Sequence, residues 1–193
     1  SPLNENIVET ETGGASEITI NSVILNGLTR FSPSMGNVTT GMVLSTEPEF
    51  DIKDGIVAKA EHVDATCTMT VVVIGLTSGT TYYYKSFLTV GGQTHYGDVK
   101  YFSTEVSPVS AVTLNLESLA LTVGEEPVKL KATVEPESAT NKKTSWMSGD
   151  DSVATVSLDG DVTAVGNGTT TITVTTEDGG KTASCEVTVT TIS

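Results

Sequence analysis

The chain has 193 residues, a length that suits two domains, and it has no apolar run long enough to span a membrane as a helix. It carries 24 acidic and 10 basic residues, and residues 1–106 and 107–193 each hold 12 acidic and five basic ones, so the net charge of −14 is evenly spread. This charge argues against binding to nucleic acid or anionic membranes, and it favours an extended arrangement of two like-charged domains.

Alternating apolar residues and turn residues predict strands rather than helices in the first half of the chain. Residues 1–17 are polar, acidic and interrupted by glycine, which indicates a partly ordered leader that feeds an edge strand. The chain opens at Ser1 without methionine or a signal peptide, so we expect a processed or trimmed piece of a longer protein. Further strands are predicted around residues 18–25, 42–45, 56–58 and 67–73.

The segment Gly75–Thr104, GLTSGTTYYYKSFLTVGGQTHYGDVKYFST, organises this half. A leucine turn at Leu76 followed by Tyr82 at the start of a strand is typical of the tyrosine corner of Greek-key sandwiches. Tyr82 and Tyr84 share one face of that strand and are predicted to lie in the core with Leu76. Gly91 and Gly92 supply the positive φ angles of a two-residue hairpin.

Four aromatic residues of the same segment are candidates for an exposed surface. Tyr83 and Phe87 lie on the opposite face of the strand from Tyr82, and Tyr96 and Tyr101 lie on the return strand. Such rings can stack on sugar rings, although cross-strand aromatic pairs also stabilise a sheet that binds nothing. We therefore treat these four residues as a possible interaction surface.

Two runs of the first half carry a family resemblance: GMVLSTEPEF, and TVVVIGLTSGTTYYYKSFLTVGGQTHYGDVKYFST. Together they resemble the fibronectin type III-like modules of Bacteroidetes surface proteins, over about residues 18–104. The half lacks the core tryptophan of vertebrate fibronectin modules and has no Arg-Gly-Asp, so integrin-type recognition is not implied.

The second half begins after a boundary segment, residues 103–111, whose Pro108 indicates a short, semi-stiff hinge. Its motifs, in order from Val123-Gly124-Glu125 to Gly168-Thr169, resemble the group 2 bacterial immunoglobulin-like domain over about residues 112–189. The resemblance implies that Trp146 packs in a sandwich core without an inter-sheet disulfide. The predicted fold is all-β, with two tandem immunoglobulin-like Greek-key β-sandwiches: a fibronectin type III-like domain with its leader at 1–106, and a group 2 domain at 107–193.

No pattern in the sequence indicates catalysis, a cofactor or a metal site. His62 and His95 lack the context of a catalytic triad, and we interpret both as surface residues. Cys67 and Cys185 alternate with apolar residues in different halves, which indicates two buried free thiols. The acidic pairs around Asp150 and Asp159 could bind calcium, but solvated turns are the default interpretation because the twelve-residue calcium-loop spacing is absent.

These observations favour a non-enzymatic role. The first hypothesis is a monomeric tandem segment of an exported cell-surface protein, a bacterial spacer or adhesion module that meets an unidentified protein or glycan partner. The resemblance implies an extracellular or outer-membrane location, with lipid anchoring upstream of Ser1. The alternative is a carbohydrate-binding accessory of a surface glycan-utilisation system, which would use the tyrosine-bearing sheet of the first domain.

Overall fold

A computed structural model describes residues 7–61 and 63–193. The chain divides into two compact units, Ser1–Val106 and Ser107–Ser193. The described part of the first unit consists of eight strands and one short 3-10 turn at Pro33–Met35. The strands are β1 (Val8–Ser16), β2 (Val23–Phe31), β3 (Val38–Ser45), β4 (Ile56–Lys59), β5 (Thr66–Val73), β6 (Thr81–Val90), β7 (Gln93–Tyr96) and β8 (Lys100–Ser103).

Two sheets form the first unit. One has three strands in the order β1-β2-β5, and the other has the order β4-β3-β6-β7, with β8 also paired to β6. The hairpin between β6 and β7 has the predicted turn, because Gly91 and Gly92 have φ angles of 57° and 78°. The segment predicted to be a leader that feeds an edge strand itself forms an edge strand, β1, with a bulge between Thr12 and Ala15. Residues 1–6 of the predicted leader lie outside the described residues.

The core of the first unit lies between these two sheets. Its largest members that are almost fully buried include Leu25, Met42, Leu44 and Tyr84.

A buried polar cluster joins β1 to β6 at the bulge. The Thr12 hydroxyl accepts from the Ser86 amide at 2.9 Å, and the Tyr84 hydroxyl donates to the Gly13 carbonyl at 3.0 Å. A Cβ at Gly97 would lie 2.4 Å from Ser86 Oγ and 2.6 Å from Thr12 Oγ1. Glycine at this position therefore lets the chain pass close to the cluster.

The second unit consists of nine short strands: β9 (Ala111–Leu114), β10 (Ser118–Thr122), β11 (Val128–Lys129), β12 (Ala132–Glu135), β13 (Thr144–Ser148), β14 (Ala154–Val156), β15 (Asp161–Ala164), β16 (Gly168–Thr176) and β17 (Thr182–Thr190). One sheet has the order β10-β17-β16-β13, in which β10 runs parallel to β17. Facing elements form a three-stranded sheet, β11-β15-β14, and the pair β12-β9. Leu130, Val162, Ile172 and Val187 are among the buried residues of a separate core.

Backbone amides on each side of the boundary are hydrogen-bonded within their own unit. The Glu105 amide donates to the Thr19 carbonyl within the first unit, and the Ser107 amide donates to Thr140 Oγ1 within the second. Val106, which is 70% exposed, lies between these two anchored residues. Residues on both sides of Val106 in the predicted hinge, 103–111, are therefore hydrogen-bonded within one unit or the other.

Candidate functional site

The four aromatic residues proposed as an interaction surface come from the five-strand sheet of the first unit. Along β6, Tyr83 and Phe87 alternate with residues that face the core. Tyr83 is paired with Tyr101 of β8, and Phe87 is paired with Tyr96 of β7. The sheet therefore brings the four residues together as two cross-strand pairs on its outer face, but the two pairs have different surroundings.

The prediction that Phe87 lies on an exposed surface is wrong. Its side chain is 0% exposed and packs with Val43 and Phe50 in a second, smaller core. The connection between β3 and β4, residues 46–55, carries Phe50 and Ile52 over this part of the outer face. Alternation along a strand shows which face a residue occupies, but it does not show whether a distant loop covers that face.

Tyr96 is part of the same covered region. Its hydroxyl accepts a hydrogen bond from the Ile52 amide at 3.0 Å, and its ring centroid lies 4.2 Å from Lys85 Nζ. The Lys85 ammonium also lies 4.5 Å from the Phe50 ring and donates to the Phe50 carbonyl. Lys85 and Tyr96 thus hold the 46–55 loop on the sheet, so Tyr96 has a structural role that explains its half-buried position.

We expect replacement of Lys85 by alanine to release this loop. Two cation–π contacts of about 0.5–1 kcal/mol each are lost, so cleavage by trypsin after the exposed Lys53 should become roughly tenfold faster. Timed proteolysis followed by mass spectrometry measures this rate. Lys100→Ala is the matched control because it removes the same charge from an exposed position on β8. Equal rates in both variants would contradict the role assigned to Lys85.

Tyr83 and Tyr101 form the part of the candidate surface that stays open. Tyr101 is 72% exposed and Tyr83 is half-buried, with ring centroids 6.3 Å apart and an angle of 54° between the rings. Beside them, the hydroxyls of Thr81 and Ser103 are bonded to each other at 2.8 Å. Because the two rings are tilted, they do not form one flat platform, and a ligand would contact each ring separately.

Leu76, Tyr82 and Tyr84, which the sequence places in the core, are buried in the first unit. The Tyr82 hydroxyl accepts from the Thr77 amide at 3.0 Å, which is the contact expected of a tyrosine corner. Burial raises the pKa of the Tyr84 phenol above its ordinary value. Trp146 is half-buried and packs against the core of the second unit.

The other candidate groups stand apart from this surface. The Asp150 carboxylate accepts from the hydroxyl and amide of Ser152, and these bonds lower its pKa. Asp161 lies 3.5 Å from Lys129 Nζ. Cys67 is half-buried and Cys185 is buried, and both are free thiols; burial raises the pKa of Cys185. His62 lies outside the described residues.

Within residues 7–61 and 63–193, no three acidic, histidine or cysteine side chains are grouped closely enough to hold a metal ion. No helix in that part of the chain has the length and apolar character needed to cross a membrane.

Comparison with known proteins finds a family match within the second unit. Residues 108–187 match the family described as bacterial Ig-like domain (group 2), which confirms the resemblance predicted for residues 112–189. The chain is 51% identical over 67 residues to an alpha-L-arabinofuranosidase of Bifidobacterium longum subsp. longum, which covers 35% of the chain and 6% of that protein. It is 44% identical over 85 residues to an Ig-like virion protein of Serratia phage KSP90, covering 44% of the chain and 33% of that protein. The chain thus spans at most a third of either relative.

Solved structures similar to the chain include two multidomain proteins. The FN1–FN3 domains of chicken CNTN1 match with a TM-score of 0.45 and 14% identity, over 95% of this chain and 68% of that one. Domains 4 and 5 of the S-layer protein SbsC match with a TM-score of 0.40 and 15% identity, over 96% and 99% of the two chains. With the strands described above and the family match, the predicted all-β sandwich fold is confirmed.

Proposed function

We propose that this chain, whose residues 108–187 match the group 2 bacterial Ig-like family, is a non-catalytic segment of an exported cell-surface protein. In this role it spaces, presents or attaches another module of the same protein. The observation that carries the proposal is that each unit closes a hydrophobic core from its own residues. Autonomous sandwiches joined in series supply length and surface without requiring a cofactor or a reaction.

The anchoring of the connection on both sides of Val106 supports this role. With Glu105 bonded within one unit and Ser107 within the other, a single residue joins two folded bodies. This connection is short, unlike a long flexible linker, whose ends sample many distances. The even negative charge of the two units keeps such a surface soluble and discourages non-specific association.

Labelling of intact cells tests the proposed location. An antibody against residues 107–193 should label cells that make the full-length parent protein without permeabilisation. Labelling that requires permeabilised cells would reject the cell-surface role.

A domain replacement separates the spacer role from the attachment role. Residues 1–193 are exchanged for two unrelated sandwich domains of the same length. Normal attachment of cells carrying the exchanged protein identifies a spacer, and loss of attachment with unchanged surface labelling identifies a binding module.

The open tyrosine pair supports a second candidate, carbohydrate binding in a glycan-utilisation system. The exposed Tyr101 and the half-buried Tyr83 lie beside the Thr81 and Ser103 hydroxyls, a combination that suits pyranose rings and their hydroxyl groups. A glycan array should then give hits that disappear in Tyr101→Ala. The matched control is Val99→Ala, a change at another exposed apolar residue just before β8. An array without hits, or hits that survive Tyr101→Ala, would remove this candidate.

A further inference from the structure

Strand β5 has an unusual free edge. It is the outer strand of the β1-β2-β5 sheet, and free edges pair with other chains unless charges, prolines, bulges or shortness protect them. Strand β1 has two glutamates and a bulge, and β4, β7 and β8 have only four residues each. Strand β5 has eight residues, TCTMTVVV, and none of these protections.

The register shows which backbone groups of β5 face outward. The Phe31 amide donates to the Ala65 carbonyl at 2.9 Å, and Thr29 is paired with Cys67 two residues further on. Because the hydrogen-bonding direction alternates along an antiparallel strand, odd-numbered residues of β5 bond to β2 and even-numbered ones face away. In the part of the chain that the structure describes, β5 pairs with β2 alone. The outward groups belong to Thr66, Thr68, Thr70 and Val72.

The same edge borders a groove of about 550 Å³, lined by residues 58–61 and 68–72. Ala58 and Ala60 are small and pack at the margin of the core, which leaves room for incoming side chains beside the exposed Lys59 and Glu61 of the same wall. On the outer face of the sheet, Val72 is 63% exposed and Ile74 is 76% exposed. A strand added to β5 would place alternate side chains in the groove and beside these two exposed residues.

We propose that β5 accepts an extended, uncharged segment of a partner protein as an added strand. Main-chain hydrogen bonds to the even-numbered residues of β5 would supply affinity. Apolar side chains at alternate positions, received by the groove, would supply specificity. The inference deepens the interaction role proposed above and rests on it, because it names the surface and the class of partner.

Charge and area favour a partner segment over a second copy of the chain. Each copy carries a net charge of −14, so two copies repel one another. Pairing of two β5 edges would bury one strand from each copy, well below the roughly 800 Å² per partner of a stable interface. An extended segment in the groove contacts the β5 edge and the wall that contains Ala58 and Ala60 at the same time.

Hydrogen exchange tests the added strand directly. The probe is a short synthetic peptide of alternating valine and threonine, and its control carries N-methyl groups on the amides that would pair. In the free chain, the amides of Thr68, Thr70 and Val72 should exchange fast. The probe should slow them by about tenfold or more, while the amides of Met69 and Val71, already bonded to β2, stay unchanged. The methylated control should have no effect.

Two substitutions at one position complete the test. Thr68→Pro removes an outward amide without touching the pairing with β2, a place where edge strands tolerate proline. It should weaken peptide binding, measured by calorimetry, about tenfold or more, whereas Thr68→Val keeps the amide and should bind as the original chain does. Unchanged slow exchange at Met69 and Val71 shows that each variant remains folded.

Three results would overturn the inference. The first is that the probe does not slow the exchange of the outward amides. The second is that Thr68→Pro binds the peptide as tightly as the original chain does. The third is concentration-dependent self-association that Thr68→Pro abolishes, which would show that a second copy of the chain pairs with β5. Because cell labelling does not depend on this edge, it can succeed while the peptide fails. Failure of the inference is therefore distinguishable from failure of the proposed function.

Discussion

Replacing Phe87 by alanine should destabilise the first unit by about 3–5 kcal/mol, the usual cost of deleting a fully buried phenylalanine side chain. The ring lies with Val43 and Phe50 under the 46–55 loop, so its removal leaves a cavity and detaches the loop. Tyr101→Ala, a change on the same face of the sheet, should cost at most about 1 kcal/mol because only a cross-strand pair is lost. The difference between these two losses of stability distinguishes the part of the sheet face that the 46–55 loop covers from the part that is open.

The aromatic residues of the chain allow this measurement to be made unit by unit. All five tyrosines lie in the first unit, and the single tryptophan, Trp146, lies in the second. Urea unfolding followed by tyrosine signals should shift to lower denaturant in Phe87→Ala, while the tryptophan transition stays in place. A Phe87→Ala variant as stable as Tyr101→Ala would contradict the assignment of the smaller core. A simultaneous shift of both transitions would contradict the proposal that the two domains fold independently.

The tyrosine corner shows what local sequence can predict. Leu76, Tyr82 and Tyr84 lie within nine residues of one another, and the alternation along β6 predicts that Tyr82 and Tyr84 face the core. The Gly91-Gly92 hairpin is local in the same sense, and its two positive φ angles agree with the prediction. Features of this kind depend on residues that are close together in the sequence, so the local sequence pattern is enough to predict them.

Phe87 and the second strand show what local sequence misses. The loop that covers Phe87 is contributed by residues about 40 positions earlier in the sequence, which no alternation within β6 reveals. The strand predicted around residues 18–25 also differs from the structure, in which β2 runs from Val23 through Gly27 to Phe31. A Cβ at Gly27 would lie 2.6 Å from Met42 Cε and 2.8 Å from the Glu11 carbonyl. Glycine is needed there for close packing rather than for a turn.

The second unit was predictable for a different reason. Its motifs occur in order over nearly the whole domain, and the family match covers residues 108–187. The alternation of residues 128–134 nevertheless predicts one continuous strand, whereas the structure divides it into β11 and β12. The Leu130 amide donates to the Gly160 carbonyl, and the Lys131 amide donates to Asn115 Oδ1, so the strand changes partner between these residues. The alternation of side chains continues through this change of pairing partner, so it does not predict where the strand divides.

A substitution at Gly160 should have a large effect in the second unit, because two penalties coincide there. Its φ is +86°, and a Cβ would lie 2.6 Å from the Leu130 carbonyl oxygen and 2.9 Å from Trp146 Cζ2. Gly160→Ala should therefore lower the free energy of unfolding by about 3 kcal/mol, from the left-handed backbone and the forced displacement of packed atoms together. Gly124→Ala is the matched control: its φ is +97° with open space around it, so it should cost only about 1 kcal/mol.

Tryptophan fluorescence during urea unfolding measures both variants, since the Trp146 ring is the group that a methyl at Gly160 would displace. The native-state emission should shift in Gly160→Ala and stay unchanged in Gly124→Ala, and the tyrosine transition of the first unit should stay in place in both. Equal losses of stability would show that the backbone angle alone accounts for Gly160, and Trp146 would then not pack against this turn. A larger loss at Gly160 that shrinks in a Trp146→Leu background, where unfolding is followed by circular dichroism because no tryptophan remains, would instead assign part of the difference to the indole.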